Sequence, residues 1–259
     1  MIALGRTYLL ATIAFLYLPI AVMVAMAFND SALYTLPIEP SLRWFASLAV
    51  NAPLQLATRN SLLIASATSV IATAVGAMAA LALERKRFRG RSLLRLLLLP
   101  PIAIPWLIVG TAMLVFFFWT GIGRGIHALL IGHVALAIPY VVLIIGAGLQ
   151  TLRADLEEAA MSLGSTPIHA FFSITLPPLL PSVLAAALFA FAVSLDQFVI
   201  SYFLSTPGVS TLPVEIYSSI RKGFTPEINA ISTIFLGVSS ALVLVFAQLS
   251  HLGGKRDSR

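Results

Sequence analysis

Cysteine is absent from the 259-residue chain, and charged residues make up only 10% of it. Without cysteine, neither disulfide bonds nor thiolate metal sites can form. Soluble domains contain about 25% charged and about 45–50% apolar residues, whereas this chain is 59% hydrophobic. The composition is therefore typical of a membrane protein.

Motifs for nucleotide hydrolysis and for hydrolytic catalysis are also absent. None of the three lysines lies in a phosphate-binding loop of the form G-x-x-x-x-G-K-[ST], and neither G-x-S-x-G nor H-E-x-x-H occurs. The four histidines are scattered. His133 lies in a hydrophobic run, where a hydrogen bond to a neighbouring helix is more common than metal ligation. We expect no catalytic residue, no metal site and no cofactor bound by this chain.

Six hydrophobic runs are long enough to cross a bilayer as helices, which takes about 20 apolar residues. They are Tyr8–Phe28, Asn60–Leu83, Leu93–Phe118, His127–Leu149, Leu179–Phe203 and Ile228–Leu249. The first run exceeds the 7–15 apolar residues of a signal peptide, so we expect it to remain as a helix. Pro100, Pro101 and Pro105 interrupt the third run, and each removes a backbone donor and kinks a helix. The predicted fold is all-α, a polytopic membrane protein with six transmembrane helices.

Basic residues are concentrated in the loops of one side. Five of the seven residues between 85 and 91 are Lys or Arg, and Arg95 follows closely. Short loops rich in Lys and Arg face the cytoplasm, so we place this loop and both termini there. Alternation then gives eleven basic residues inside and five outside, namely Arg43, Arg59, Arg124, Arg221 and Lys222. The net charge of +6 therefore indicates membrane topology and not nucleic-acid binding.

The longest polar interruption on the cytoplasmic side, residues 150–178, has the pattern of two helices joined by a turn. Acidic residues stabilise the start of a helix, and Asp155, Glu157 and Glu158 stand at the start of the first. Gly164 provides the positive φ of a C-terminal cap. The apolar side chains of Met161 and Leu163 beside this turn have no lipid to cover them, which favours a protein partner.

Ser165 or Thr166 can cap the second helix of this segment. Pro167 suits its first position, because the missing N–H would be unpaired there. We expect this helix to cover Ile168–Leu176 and to end against Pro177 and Pro178.

The same segment resembles the EAA loop of ABC importer permeases. The shared positions are Glu158-Ala159-Ala160, Gly164 and Ile174-x-Leu176-Pro177. The resemblance implies a type I ABC importer permease fold of the MetI-like kind, whose loop docks on a cytosolic ATPase. The ATPase-coupling residues it implies are Glu157, Glu158, Ala159, Ala160, Met161, Leu163, Gly164, Ile174, Leu176 and Pro177. ATP and Mg²⁺ would then be bound by the partner and not by this chain.

The resemblance also implies a division of the chain and a set of partners. Residues 1–57 would form an N-terminal transmembrane helix and first periplasmic loop, 58–252 a five-helix permease core with the EAA loop at 150–178, and 253–259 a cytoplasmic tail. The partners would be a cytosolic ATPase dimer, a second homologous permease subunit in a heterodimer or homodimer, and a periplasmic substrate-binding protein. The expected location is the lipid bilayer of the bacterial inner membrane, with no nucleic-acid partner.

A second stretch resembles the spermidine/putrescine type of permease, in particular its C-type subunit. It runs from Ser194 to Ser201 and is followed by Leu212-Pro213 and by Pro226-Glu227-x-Asn229-Ala230. The resemblance implies a polyamine substrate. Many members carry two adjacent carboxylates where this chain has Asp196-Gln197, and related permeases carry ferric iron or aminophosphonates, which remain alternatives.

Asp196 is the only ionisable residue of the fifth hydrophobic run. A carboxylate at bilayer depth costs about 2.5–3.5 kcal/mol on insertion scales and usually faces a cavity or a partner. We expect Phe189, Val193, Ile200 and Phe203 to share its helical face. Asp196, Phe189, Tyr202 and Phe203 are therefore candidate substrate-path residues, since aromatic rings beside a carboxylate suit a protonated amine. A structural carboxylate hydrogen-bonded to a neighbour is the alternative.

Two other function classes remain open on sequence grounds. An intramembrane enzyme would need several polar groups converging within the spans, and a secondary transporter would be expected to show inverted repeats with paired broken helices. Neither pattern is evident in the chain.

Overall fold

A computed structural model describes residues 2–32, 35–98, 103–223 and 225–254. Within these ranges the chain forms twelve α-helices and no β-sheet. They are α1 Ile2–Ala27, α2 Arg43–Leu48, α3 Ala52–Arg85, α4 Arg91–Leu98, α5 Trp106–Trp119, α6 Ile126–Thr151, α7 Ala154–Ser162, α8 Pro167–Ala170, α9 Leu176–Leu195, α10 Val199–Leu204, α11 Leu212–Lys222 and α12 Glu227–Gly254. A π-helical turn, Phe171–Thr175, joins α8 to α9.

Four helical segments of the described chain have the length and apolarity of a membrane span: Gly5–Ala27, α3, α6 and the continuous segment Pro167–Leu195. Helix α12 covers the sixth predicted run. The third run is not one helix, because α4 and α5 are separate and α5 is a short apolar helix of 14 residues. Pro105 precedes the first residue of α5, as expected for a residue without an N–H. Pro100 and Pro101 lie outside the described residues.

The fifth run also differs from the predicted single helix. Helix α9 ends at Leu195, residues 196–198 are not helical, and α10 begins at Val199. The side chain of Gln197 explains the break, since its Oε1 accepts the backbone N–H groups of Val199 and Ile200 at 3.1 and 3.4 Å. A side chain that bonds the nearby backbone in this way competes with the helical hydrogen bonds.

The described residues divide into two compact units. The first contains the described residues of 1–56 and 215–241. The buried side chain of Asn29 organises its loop, donating to the Thr35 carbonyl and accepting from the Glu39 N–H. The indole of Trp44 donates to the Asn29 carbonyl at 2.7 Å. In the same unit, the Asn51 side chain donates to the Glu227 carboxylate at the start of α12.

The second unit, which includes residues 57–214, has a core made by α3, α6 and α9. Small residues permit this packing, because membrane helices associate closely where side chains are short. A Cβ on Gly148 of α6 would lie 2.3 Å from Oγ of Ser182 on α9. Ser69 of α3 donates to the Ala187 carbonyl of α9 at 2.7 Å. Small residues at these contacts therefore allow α3, α6 and α9 to pack closely.

Candidate functional site

The predicted helix–turn–helix lies between α6 and α9. Helix α7 ends in a Schellman motif, in which the Ser165 N–H donates to the Ala160 carbonyl and the Gly164 N–H to the Met161 carbonyl, both at 3.0 Å. The φ of Gly164 is +95°, a left-handed conformation that costs an L-residue energy. The geometry of the turn is thus fixed by its backbone.

The starts of α7 and α8 are stabilised differently. Arg153, which precedes α7, hydrogen-bonds to Asp155 in the first turn of that helix, and the guanidinium holds the pKa of this exposed carboxyl below its usual range. At the start of α8, the Thr166 side chain accepts the His169 N–H at 3.3 Å, and Pro167 occupies the first helical position. Thr166, of the two candidates, is therefore the N-cap of the second helix.

The expectation that the second helix ends at Leu176 against Pro177 and Pro178 is wrong. The chain continues as one helical segment from Pro167 to Leu195. The wider π turn Phe171–Thr175 shifts the hydrogen-bond register before the prolines. Both prolines then occupy the first turn of α9, where no backbone donor is required.

A side-chain hydrogen bond joins α7 to the π turn that precedes α9. The Thr175 hydroxyl, on the π turn, donates to the Glu157 carboxylate of α7 at 2.9 Å. Thr175 is buried, whereas Glu157 is half-buried. Glu157 was predicted as a coupling residue, but sequence reasoning missed Thr175, because its partner lies 18 positions away.

An apolar surface remains uncovered at the tip of this segment. Leu163 is 90% exposed, and Met161, Ile168 and Phe172 are also exposed. Of the other predicted coupling residues, Glu158, Ala159, Gly164 and Pro177 are exposed, while Ala160, Ile174 and Leu176 are half-buried. We call the four exposed apolar residues, Met161, Leu163, Ile168 and Phe172, the tip surface.

The second candidate site is the break between α9 and α10. Asp196 follows the last residue of α9 and is exposed, whereas Gln197 is fully buried. The predicted shared helical face of Asp196 with Ile200 and Phe203 is therefore wrong, because no helix is continuous through residues 196–198. Position 197 serves as a cap for α10.

The aromatic candidates are in different environments. Tyr202 is exposed and its ring contacts Phe203 at 5.8 Å between centroids. Phe203 packs against α5, since a Cβ on Gly110 would lie 2.9 Å from its ring. Phe189 contacts Tyr140 of α6 at 5.2 Å. The structure brings Tyr202 and Phe203 together, but it pairs Phe189 with a residue that the sequence reasoning did not consider.

Buried hydrogen bonds connect His133 of α6 to serines on both sides of the break between α9 and α10. The Ser201 hydroxyl donates to the Gln197 carbonyl at 2.7 Å, so the His133 Nε2–H must be the donor to Ser201 at 3.0 Å. Nδ1 of His133 then accepts from the Ser194 hydroxyl at 2.8 Å. His133 is 1% exposed, and the expected hydrogen bond to a neighbouring helix is confirmed. Sequence reasoning did not identify the two serines, although both lie in the stretch 194–201 that resembles spermidine/putrescine permeases.

A further polar contact lies where α3 ends. Glu84 accepts from Arg95 of α4 at 2.9 Å and from Gln150 of α6 at 3.4 Å. One carboxylate thus joins three helices next to the start of residues 150–178. Among the described residues, no group of three or more His, Asp or Glu side chains could hold a metal ion.

Comparisons with known proteins identify the family. The model of the family described as "binding-protein-dependent transport system inner membrane component" matches residues 72–252. The putrescine transport system permease protein PotI of Escherichia coli (strain K12) is 38% identical, over 88% of this chain and 84% of its own length. The spermidine/putrescine transport system permease protein PotC of Haemophilus influenzae is 35% identical, over 93% of this chain and 94% of its own.

Solved structures have the same fold. One is a bacterial alginate ABC transporter in complex with an alginate pentasaccharide-bound periplasmic protein, with a TM-score of 0.73 at 19% identity over 95% of this chain and 93% of the other. Another is the methionine transporter MetNI in an inward-facing form, with a TM-score of 0.63 at 17% identity over 77% and 95% of the two chains. The predicted type I importer permease fold is confirmed. The chain belongs to the family of binding-protein-dependent inner-membrane transport components, as a multi-pass permease subunit of an ABC importer.

Proposed function

We propose that the chain imports a polyamine, such as putrescine or spermidine, by coupling its fifth span to a cytosolic ATPase through residues 150–178. The observation that carries the proposal is the exposed helix–turn–helix with a backbone-fixed turn at Gly164. ATP and Mg²⁺ are bound by the partner in this account, and this chain carries out no chemistry.

The tip surface supports docking of a protein. Met161 and Leu163 are large apolar side chains exposed on α7 and its turn, outside the segments counted as spans. Exposed apolar side chains that lipid does not cover mark interaction sites. Leu163 is almost fully exposed although the adjoining turn is well ordered by three-centre and Schellman hydrogen bonds. A preformed surface of this kind loses little conformational entropy on binding.

The continuity of α8, the π turn and α9 supports transmission of movement. The segment Pro167–Leu195 is one helix, so a displacement of the tip surface is carried along it toward the break at residues 196–198. The Thr175–Glu157 hydrogen bond connects α7 to this same helical segment. Closure of the ATPase dimer would in this way move the end of α9, beside Asp196.

The substrate assignment is supported by two independent features. Relatives at 35–38% identity are named as putrescine and spermidine/putrescine permeases. Asp196 is exposed at a helix break, and Tyr202 is exposed on α10. Exposed carboxylates and exposed aromatic rings are both groups that bind a protonated amine. Many related permeases have a second carboxylate where this chain has Gln197. The Gln197 side chain is buried and caps α10, so the amide in its place does not alter the charge on the exposed side of the break.

The proposed complex has a cytosolic ATPase dimer, a second homologous permease chain and a periplasmic binding protein. Both termini and the EAA loop are cytoplasmic, as the distribution of basic residues predicts. The core comprises residues 58–252, preceded by an N-terminal helix and followed by a short tail.

The test is uptake of radiolabelled putrescine by the reconstituted full transporter, with Asp196→Asn and Leu163→Asp as separate variants. We expect Asp196→Asn to lower the uptake rate at least tenfold while ATPase binding is retained. Leu163→Asp should abolish retention of the ATPase. Unchanged uptake by Asp196→Asn would remove Asp196 from the substrate path, and competition by ferric iron or an aminophosphonate, but not by spermidine, would refute the polyamine assignment.

A further inference from the structure

The connection between α3 and α4 combines a dense positive charge with an exposed apolar helix. Its sequence from residue 85 to 91 is RKRFRGR. Lys86, Arg87 and Arg89 are exposed, and Gly90 adopts a φ of +93° that allows the chain to turn into α4. The function proposed above uses none of these side chains.

The Nε–H groups of the arginines at the two ends of this turn lack acceptors among the described residues. The Nε–H groups of Arg85 and Arg91 are shielded from solvent, and no hydrogen-bond acceptor for them exists among the described residues. Shielded donors without a partner are costly, and each one in a native protein calls for an explanation. An anionic group bound at this turn would supply acceptors for arginine donors.

Helix α4 provides the second, independent observation. None of its residues is buried, and Leu96 and Leu97 are 62% and 61% exposed. Leu93 shares their face at helical spacing and is also exposed. Arg95 lies on the other side and is held by Glu84. The helix is therefore tethered by its polar face, and its leucine face remains open.

We propose that this turn and helix form a binding site for an anionic phospholipid of the cytoplasmic leaflet. The phosphate of the lipid would be held at this turn by Arg85 and Arg91, with Lys86, Arg87 and Arg89 adding to the attraction. The acyl chains would lie along the leucine face of α4. The combination favours an anionic lipid over other ligands. A small anion would make no use of the leucine face, and a neutral lipid would make no use of the five basic residues.

Positive charge alone would also satisfy the rule that sets topology. That rule concerns the number of basic residues and not their hydrogen bonds. It does not account for shielded Nε–H groups. The inference rests on the proposed cytoplasmic orientation, so the experiment has to test orientation separately.

The experiment uses the complete transporter in nanodiscs of phosphatidylcholine with or without phosphatidylglycerol, and native mass spectrometry counts the retained anionic lipid. The variant is Arg85→Gln with Arg91→Gln. Its matched control is Arg221→Gln with Lys222→Gln, which removes the same charge elsewhere. Each basic residue near an anionic surface contributes about a fivefold factor in affinity. We expect the site variant to lose about thirtyfold in phosphatidylglycerol affinity and the control variant to lose less than twofold.

Equal losses in the two variants, or no loss in either, would overturn the proposal. Orientation is read from Arg87→Cys, a clean probe because the chain has no cysteine. With partner chains freed of cysteine, a membrane-impermeant thiol reagent should modify it only from the cytoplasmic side. Modification from outside would refute the orientation, whereas cytoplasmic modification with unchanged lipid affinity would refute the lipid site alone.

Discussion

Gly164 offers a quantitative test of the coupling segment. Its φ of +95° lies in the left-handed region, where an L-residue costs roughly 1–2 kcal/mol. A Cβ built at this position meets nothing within 4 Å, so Gly164→Ala introduces backbone strain without a clash inside this chain. If the strained turn relaxes in the free permease and must be restored on docking, the ATPase affinity falls about 5- to 30-fold.

The assay is binding of the purified ATPase to immobilised permease in nanodiscs. Asparagine tolerates the left-handed region better than alanine, so Gly164→Asn should lose less affinity than Gly164→Ala although its side chain is larger. Gly208 is a matched control, because its φ is +79° and its Cβ position is also open, yet it lies outside residues 150–178. Gly208→Ala should leave the ATPase affinity unchanged.

The reverse order would refute this reasoning. If Gly164→Asn binds the ATPase more weakly than Gly164→Ala, side-chain volume in the contact with the partner limits docking, and backbone strain does not. The thermal stability of each purified permease separates both effects from general unfolding.

Three further predictions concern other contacts. Thr175→Val removes the donor to Glu157 and should lower the number of substrates imported per ATP hydrolysed several-fold. The reason is that a hydrogen bond to a charged group contributes about 1.5–3 kcal/mol. Thr175→Ser keeps the hydroxyl and should keep the wild-type number. His133→Leu leaves buried hydroxyls unsatisfied and should lower the melting temperature of the solubilised protein, whereas His133→Gln, which keeps one acceptor and one donor, should lower it less. Glu84→Gln breaks an ion pair with Arg95 in which the arginine is exposed and the carboxylate half-buried. The change should cost about 1 kcal/mol in a denaturation assay at low salt, and less at high salt.

Each of these predictions has a result that would contradict it. Unchanged coupling in Thr175→Val would mean that the Glu157 contact does not transmit movement. An equal loss of stability in both His133 variants would mean that ring shape, rather than hydrogen bonding, matters there. A large and salt-independent effect of Glu84→Gln would indicate that this carboxylate has a role beyond the Arg95 pair.

Local chemistry made much of the coupling segment predictable. Asp155 and Gly164 act at helix ends within one turn of the residues they stabilise, so spacing along the chain was enough to place α7 and its cap. Pro167 likewise marked the first position of α8. These interactions depend on neighbours in sequence, which a single chain displays.

The errors came from interactions that override local propensity. Pro177 and Pro178 normally end a helix, but a π turn upstream moved them to positions where no donor is needed. Asp196 was placed inside a helix because its surroundings are apolar, whereas the buried Gln197 side chain replaces helical hydrogen bonds with its own. The partners of His133 lie 61 and 68 positions away, and such pairings follow from tertiary packing.

The proposed function depends most on docking of the tip surface on a cytosolic ATPase. Leu163→Cys, the single thiol of this chain, is alkylated with a maleimide that carries a benzophenone group. Under ultraviolet light the benzophenone should insert into a C–H bond of the ATPase in membranes containing the assembled transporter. The double variant Leu163→Cys with Gly164→Val should not form this crosslink, because a valine at position 164 strains the turn. A crosslink to the ATPase that survives this change, or a thiol that reacts only with lipid-soluble reagents and gives no crosslink to the ATPase, would refute docking through the tip surface.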